Sequence, residues 1–227
     1  MDVQYRHEKK YRIAYAEKEL LLCRLRAALQ VDPHALPQGY YNVRTLYLDD
    51  VNDSAMQDTV TGAPEKVKYR IRMYNGDTSY IRLEKKVKRY GGGYKVGALL
   101  SADECRKILA GDCAFLRTHD SAFLRACYAV SVAGGLRPKL IVQYDRHAFI
   151  CPQDDVRITV DEDIRVCRIP DAFFDPQPFG TSVMPNRECI LEIKYTHFLP
   201  DYVPLLVGIQ NRPLTAMSKF SAGRLYY

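Results

Sequence analysis

Lys66-Val67-Lys68-Tyr69-Arg70-Ile71-Arg72-Met73-Tyr74 alternates charge and apolar bulk along its whole length. A strand sends residues two apart to the same face. Lys68, Arg70 and Arg72 therefore share one face, and Val67, Tyr69, Ile71 and Met73 share the other. Asn75-Gly76-Asp77 follows and suits a hairpin turn. The returning stretch repeats the pattern, with Arg82, Glu84, Lys86 and Lys88 opposite Ile81, Leu83 and Val87. Lys85 alone interrupts its apolar side, and Gly91-Gly92-Gly93 makes a looser turn beyond it.

The same parity recurs away from this hairpin. Arg6, Glu8 and Lys10 align near the start of the chain. Arg157, Thr159 and Asp161 oppose Val156, Ile158 and Val160, and Glu192 and Lys194 oppose Leu191, Ile193 and Tyr195. Period-two patterning predicts strands over 4–13, 40–49, 66–74, 79–88, 94–99, 138–150, 156–168 and 188–196. Their number suits a small closed barrel. Helices are expected over 16–30, with Leu21, Leu22, Leu25 and Leu29 on one face, and from the capping box Ser101-Ala102-Asp103-Glu104 to near Gly111. A third is expected over 118–133, stopped by Gly134-Gly135, and a short one from about Thr215 carries Lys219. The Pro-rich stretch 170–187 reads as a long loop. The expected class is α+β: an eight-stranded antiparallel barrel with peripheral helices, forming a single domain over 1–227.

A half-buried strand ordinarily turns its charges to water. Two features argue for the reverse. The polar faces are mostly Arg and Lys with isolated Glu, unlike an ordinary mixed surface, and the helices carry apolar faces that need a sheet to pack on. If the helices cover the outside of a closed sheet, the charges point inward. Unpaired buried charges cost several kcal/mol each, so the interior must be wet and must hold a polyanion. Arg offers bidentate donors to phosphate oxygens and Lys a mobile point charge. Glu among these cations suits Mg²⁺ or Mn²⁺, hard ions that prefer oxygen and bridge to phosphate.

Composition narrows the classes further. The net charge of +6 and the sequence pI near 8.9 fit an anionic partner. Seven cysteines, none in a C-x-x-C pair, read as reduced small hydrophobes of a cytoplasmic protein. No stretch approaches the ~18 apolar residues of a membrane span, so any membrane link would run through a partner protein. Seventeen tyrosines interleaved with cations raise single-stranded nucleic acid as a ligand. Many of them fall on the apolar face, where packing explains them, so no nucleic-acid partner is expected. His7 and His147 fall opposite their motif residues and read as outer-face groups. Gly91-Gly92-Gly93 lacks the Lys-Ser/Thr ending of a phosphate loop.

Seven motifs now stand in order: Arg6-His7-Glu8-Lys9-Lys10-Tyr11, Lys68-Tyr69-Arg70-Ile71-Arg72, Leu83-Glu84-Lys85-Lys86, Tyr144-Asp145-Arg146-His147-Ala148-Phe149, Val156-Arg157-Ile158-Thr159-Val160-Asp161, Leu191-Glu192-Ile193-Lys194-Tyr195 and Ser218-Lys219-Phe220-Ser221. In that order they resemble the VTC-type polyphosphate polymerase domain, a triphosphate tunnel metalloenzyme related to the CYTH enzymes. The resemblance implies transfer of the γ-phosphate of ATP onto a growing polyphosphate chain, assisted by manganese. It implies that Lys10, Arg70, Arg72, Lys86, Lys95, Arg146, Arg157 and Lys219 hold the triphosphate or product. It makes Glu192 the main metal ligand, with Glu8 and Glu84 as helpers. Lys68 and Lys194 share the faces of these residues and would join the phosphate-binding set. Ala222 stands where eukaryotic members carry a second basic residue, which implies weaker anchoring of the chain at the tunnel exit; the chain resembles the stand-alone prokaryotic versions. The same cations would serve a triphosphatase, in which water is the acceptor, or a non-catalytic polyphosphate sensor.

Overall fold

The computed structural model describes residues 6–89, 92–151, 155–177, 180–184 and 188–225. The first positions of the strand expected over 4–13, Gly91 of the glycine turn and parts of the 170–187 stretch lie outside the described residues. Ten strands form one sheet: β1 (Arg6–Ile13), β2 (Gln30–Val31), β3 (Tyr41–Asp49), β4 (Glu65–Tyr74), β5 (Ile81–Arg89), β6 (Gly92–Leu100), β7 (Arg137–Cys151), β8 (Val156–Cys167), β9 (Thr181–Ser182) and β10 (Cys189–Tyr195). Eight of them close a ring in the order β7-β3-β4-β5-β6-β1-β10-β8, with β8 returning to β7. Every pairing is antiparallel. The two short strands add to the overhanging ends of β7 and β8.

Helices cover the ring as the parity argument requires. α1 (Tyr15–Ala28) and α5 (Tyr202–Val207) bring Leu21, Leu22, Leu25, Val203 and Val207 onto Tyr11, Ile13, Val160, Leu191 and Ile193. α3 (Ala102–Leu109) and α4 (Ala122–Gly134) bring Cys105, Ile108, Leu124 and Cys127 onto Leu46, Ile71, Ile81 and Leu83. The apolar faces of β1, β4, β5, β8 and β10 thus point outward into core, and their charged faces point into the ring.

One end of the ring is floored with apolar side chains. Opposite Gln143 and Asp145, β8 carries one extra residue, and Asp163 takes a left-handed φ of 48° within it. The bulge flips the parity after Asp161, so Ile164 and Val166 turn inward beside Leu140 and Val142. α6 (Lys219–Leu225) lies on this floor through Phe220. It sits close because Gly223 has no Cβ, which would stand 2.6 Å from Leu140 Cδ2 and 2.7 Å from Val166 Cγ1. The seam between β6 and β1 is thin, with only Arg6–Gly93 and His7–Gly92 paired among the described residues. Further along β1, the segment before α6 takes the free edge: Thr215 N–H donates to the Lys10 carbonyl at 2.9 Å, and Arg212 Nη1 to the Arg12 carbonyl at 2.7 Å.

Several expectations need correcting. α2 (Ser54–Thr61) was not expected, because it buries only Ala55 and shows no apolar stripe. It is started from outside itself, by Asp49 accepting the N–H groups of Ala55 and Met56. α5 was hidden by Pro204 in its first turn. The helix expected over 118–133 begins at Ala122, where the Ser121 hydroxyl accepts from Leu124 N–H, and a separate 3₁₀ turn covers Ala114–Thr118. The 170–187 stretch holds a 3₁₀ turn at Pro170–Phe174 that buries Phe173, and also β9. Cys105, Cys127, Cys151 and Cys189 are buried and in no disulfide, as expected, whereas Cys23 is exposed. Among the described residues no helix is long and apolar enough to cross a membrane.

Gly97 on β6 is tightly enclosed. A Cβ there would stand 2.5 Å from the Leu83 carbonyl oxygen and 3.2 Å from Glu84 Cγ. Gly97→Ala should cost about 1–3 kcal/mol of stability, read as a lowered denaturation midpoint. An unchanged midpoint would show that the β5–β6 pair is looser than described.

Candidate functional site

The inner face of the ring lines two joined cavities of about 170 Å³ and about 470 Å³. Glu8, Arg70, Arg72, Lys86, Lys88, Arg146 and Lys194 border both. The smaller lies against α6 and adds Lys10, Lys66, Lys68, Glu192, Lys219, Tyr47, Tyr144 and Ser218. The larger adds Arg6, Lys95, Arg157, Tyr41, Tyr74, Tyr94 and Val96. Ten Lys or Arg side chains line the smaller cavity against two Glu.

Strand register sets this arrangement. Partners across a ladder share a face, so Lys68, Lys86 and Lys95 form one rung across β4, β5 and β6. Tyr47, Arg70 and Glu84 form the next, across β3, β4 and β5. Lys10 faces Glu192, Glu8 faces Lys194, and Lys194 faces Arg157. Arg146 on β7 faces Asp161 on β8. Every cation expected at the site therefore reaches the ring interior. Glu8 and Glu192 border the smaller cavity, whereas Glu84 lies beneath its wall, only 2 % exposed.

Buried acids hold most of the cations in place. Glu84 accepts from Arg70 at 2.8 Å and from Lys95 at 3.0 Å. Glu8 meets Lys10 at 2.5 Å and Lys86 at 3.2 Å, and Glu192 pairs with Lys194. Asp161, fully buried, takes Arg146 Nε and Nη2 at 2.6 and 2.8 Å and Lys219 Nζ at 2.5 Å. At the other end Asp32 and the Tyr41 hydroxyl accept from Arg157 Nη2 at 2.6 and 2.7 Å. Four cations of the smaller cavity have no carboxylate within ion-pair reach among the described residues: Lys66, Lys68, Arg72 and Lys88. Arg72 donates to the Thr45 hydroxyl at 3.2 Å. Lys68 donates to the Ser218 hydroxyl at 3.2 Å and sits 4.9 Å from the Phe220 ring centre.

Titration behaviour follows this imbalance. Burial alone would raise the carboxyl of Glu84, but Arg70, Arg72 and Lys95 overcome it and hold it near 2. Half-buried Glu8 and buried Glu192 are likewise held well below the carboxylate range, Glu8 chiefly by Lys86 and Glu192 by Lys194 and Lys10. Burial pushes Lys68 down to about 8, with Lys86, Lys10 and Lys66 adding to it. Burial also pushes Lys194 down to about 8, joined by Arg146 and Lys86 against the pull of Glu192. The Tyr47 phenol, buried but surrounded by Arg70, Arg72, Lys68 and Lys219, is held below its ordinary value.

Some site residues escaped sequence reasoning. Asp161 was visible by parity with Arg157 but read only as part of its motif. Asp32 carries no local signal, since Arg157 lies 125 positions away. Tyr41, Tyr47, Tyr74, Tyr94 and Tyr144 are tyrosines that border the cavities beside the cations, a placement the sequence did not single out. His147, 2.7 Å from Glu162, stays outside as expected, whereas His7, stacked 5.1 Å from Tyr195, borders the larger cavity. Among the described residues no three His, Cys, Asp or Glu gather as a metal cluster. Glu8 and Glu192, diagonal neighbours on β1 and β10, are a two-carboxylate donor set. That set fits a hard divalent ion that keeps waters and takes its other oxygens from phosphate.

Asp161→Asn leaves Arg146 and Lys219 facing a neutral amide. It should cost about 3–5 kcal/mol in chemical denaturation, partly restored by added tripolyphosphate. Acid should act through the same pairs. Glu84 titrates near 2 when folded, against 4.5 as its ordinary value. Its stabilisation is complete above about 4.5 and is lost as pH falls toward about 2, measurable as a falling denaturation midpoint that Glu84→Gln flattens.

The sequence profile of the VTC domain matches residues 5–227. No curated protein sequence matches this one. Solved structures share the fold at low identity. A putative adenylyl cyclase from Hippeastrum, described as having a dominant triphosphatase activity, is 15% identical with a TM-score of 0.58, over 98% of this chain and 96% of its own. A putative adenylate cyclase from Bacillus halodurans is 13% identical with a TM-score of 0.57, over 94% and 95%. The PH1819 protein of Pyrococcus horikoshii is 13% identical with a TM-score of 0.52, over 98% and 100%.

Proposed function

This chain belongs to the VTC domain family, and we propose that its tunnel binds the triphosphate of ATP and transfers the γ-phosphate to a growing inorganic polyphosphate chain. The observation that carries this reading is the surplus of cations in the smaller cavity, ten against two Glu, within a closed ring. Such a surplus is stable only with an anion of several charges inside.

The chain's own residues divide the work. Arg70, Arg146 and Lys219 are held in fixed directions by Glu84 and Asp161 and act as a rigid cradle. Lys66, Lys68, Arg72 and Lys88, without acid partners among the described residues, offer their charge to the ligand. Lys10, Lys86 and Lys194 border the same space, and Arg157 and Lys95 extend it toward the larger cavity. Glu192 and Glu8 would hold Mn²⁺ or Mg²⁺, while Glu84 serves by pairing its two cations. When bound, the ion neutralises charge on the phosphate oxygens. The cradle aligns the acceptor oxygen with the γ-phosphorus and stabilises the charge that develops as the bond from that phosphorus to the β–γ bridging oxygen breaks and ADP leaves, so positioning and electrostatics supply most of the rate.

A second reading keeps the cradle and makes water the acceptor. The activity described for the Hippeastrum protein favours keeping it in view. Product sizing separates the two. Purified protein with ATP and Mn²⁺ should yield long phosphate chains, whereas orthophosphate alone would make it a triphosphatase. Binding without turnover would make it a sensor. Glu192→Gln should lower turnover by about 10²–10³-fold while tripolyphosphate still binds. Since Lys68 and Lys194 fall to about 8 in the free protein and phosphate binds their charged forms, affinity for tripolyphosphate should weaken as pH rises through about 8, with proton uptake on binding seen by calorimetry in buffers of different ionisation enthalpy.

A further inference from the structure

A nucleophile in the smaller cavity is left unused by the transfer chemistry. Tyr47 on β3 borders that cavity, in register with Arg70 on β4. The ladder to β7 slips between Tyr47 and Leu48, with Lys139 as the extra residue, and such a slip re-aims the side chain beside it. Phe220 of α6 stands 4.9 Å from the Tyr47 ring and backs it from the floor.

Three other inward phenols are engaged. Tyr41 accepts from Arg157 at 2.7 Å, and Tyr74 is hydrogen-bonded to Arg72. Tyr144 is buried, with Lys219 and Arg146 over its ring at 4.7 and 5.2 Å. The hydroxyl of half-buried Tyr47 has no hydrogen-bond partner among the described residues. Arg70, Arg72, Lys68 and Lys219 surround it and favour its phenolate form. Cations that activate a phenol in this way make it a nucleophile. In a cavity of about 170 Å³, a γ-phosphate held by Lys68, Arg72 and Lys219 lies next to that oxygen, and proximity of this kind lowers the barrier to attack.

We propose that Tyr47 is a phosphoryl acceptor, modified by ATP bound in this cavity when no phosphate chain is present to take the group. Its phenol oxygen bonds to the γ-phosphorus as the bond from that phosphorus to the β–γ bridging oxygen breaks. ADP leaves, and the phenolic proton passes to water in the cavity. The product is a tyrosyl phosphate, which carries about −1.5 to −2 charge at neutral pH. It answers the cations that a triphosphate would otherwise meet and fills the space beside them, so the modified chain is closed to substrate. This rests on the triphosphate reading of the same cavity and adds a self-limiting reaction to it, in which idle protein phosphorylates itself and stops.

The experiment incubates wild-type protein with ATP and Mn²⁺, without added polyphosphate, and maps it by peptide mass spectrometry. The expected result is a phosphoryl group on Tyr47, stable to acid and alkali as a tyrosyl ester is, and suppressed by excess tripolyphosphate. A group on Ser218, which alkali removes, or on Lys68, which acid removes, with Tyr47 unmodified, would overturn the proposal. So would modification that tripolyphosphate does not suppress. ATP that binds by calorimetry and leaves Tyr47 unmodified overturns the proposal alone, whereas ATP that does not bind defeats the triphosphate reading beneath it. Tyr47→Phe keeps a ring against Phe220 and should take up no phosphoryl group; equal uptake by variant and wild type would count against Tyr47. Modified wild type, separated by its added charge, should bind tripolyphosphate about tenfold more weakly, the loss of one charge-assisted contact. Equal affinity would refute the closure.

Discussion

An arginine or lysine taken out of water must meet an acid or an anionic ligand, or cost several kcal/mol. That requirement organises this molecule. The closed ring turns its charged faces inward, and Glu84, Asp161 and Glu192, buried, and Glu8, half-buried, sit among the cations they neutralise. Each acid fixes the direction of an arginine or a lysine as well as its charge. Acids are nevertheless too few for the phosphate cavity, and the surplus is what a polyanion can answer. Scaffold and site are thus one network, because the pairs that make the interior tolerable also aim its donors.

The fold supports this inversion from outside. α1, α3, α4 and α5 take the apolar faces of the strands, so that hydrophobic burial drives closure while the charges go inward. The bulge at Asp163 then ends the charged lining by switching the parity of β8. Beyond it the interior becomes apolar and seats Phe220 of α6, which places Lys219 at the boundary between floor and cavity. A single inserted residue therefore decides where the tunnel stops being polar.

Much of this was legible in the sequence because strand parity is a strict signal. Lys68, Arg70 and Arg72, or Glu192 and Lys194, could share a face only as strand residues. The inward direction of that face followed from helices that needed an apolar surface. What stayed hidden depends on tertiary contacts. α2 is started by Asp49 from another element, and Asp32 reaches Arg157 across most of the chain. The inward tyrosines went unassigned because their inner face carries both rings and cations, which period-two reasoning alone does not separate. The phosphate-transfer chemistry itself came from the resemblance of the motifs, since spacing alone indicates a cationic interior and no particular acceptor.

The closing contacts have a consequence for how the molecule is assembled. β1 completes the ring by pairing with β10, and its remaining edge is held by Arg212 and Thr215. Both contacts join opposite ends of the chain, which is the extreme of contact order and a topology that folds slowly. On a ribosome, the cationic strands emerge long before the segment that seals them. Until β10 pairs with β1, the inner wall is an open basic surface, and Thr215 then secures the edge of β1 that remains.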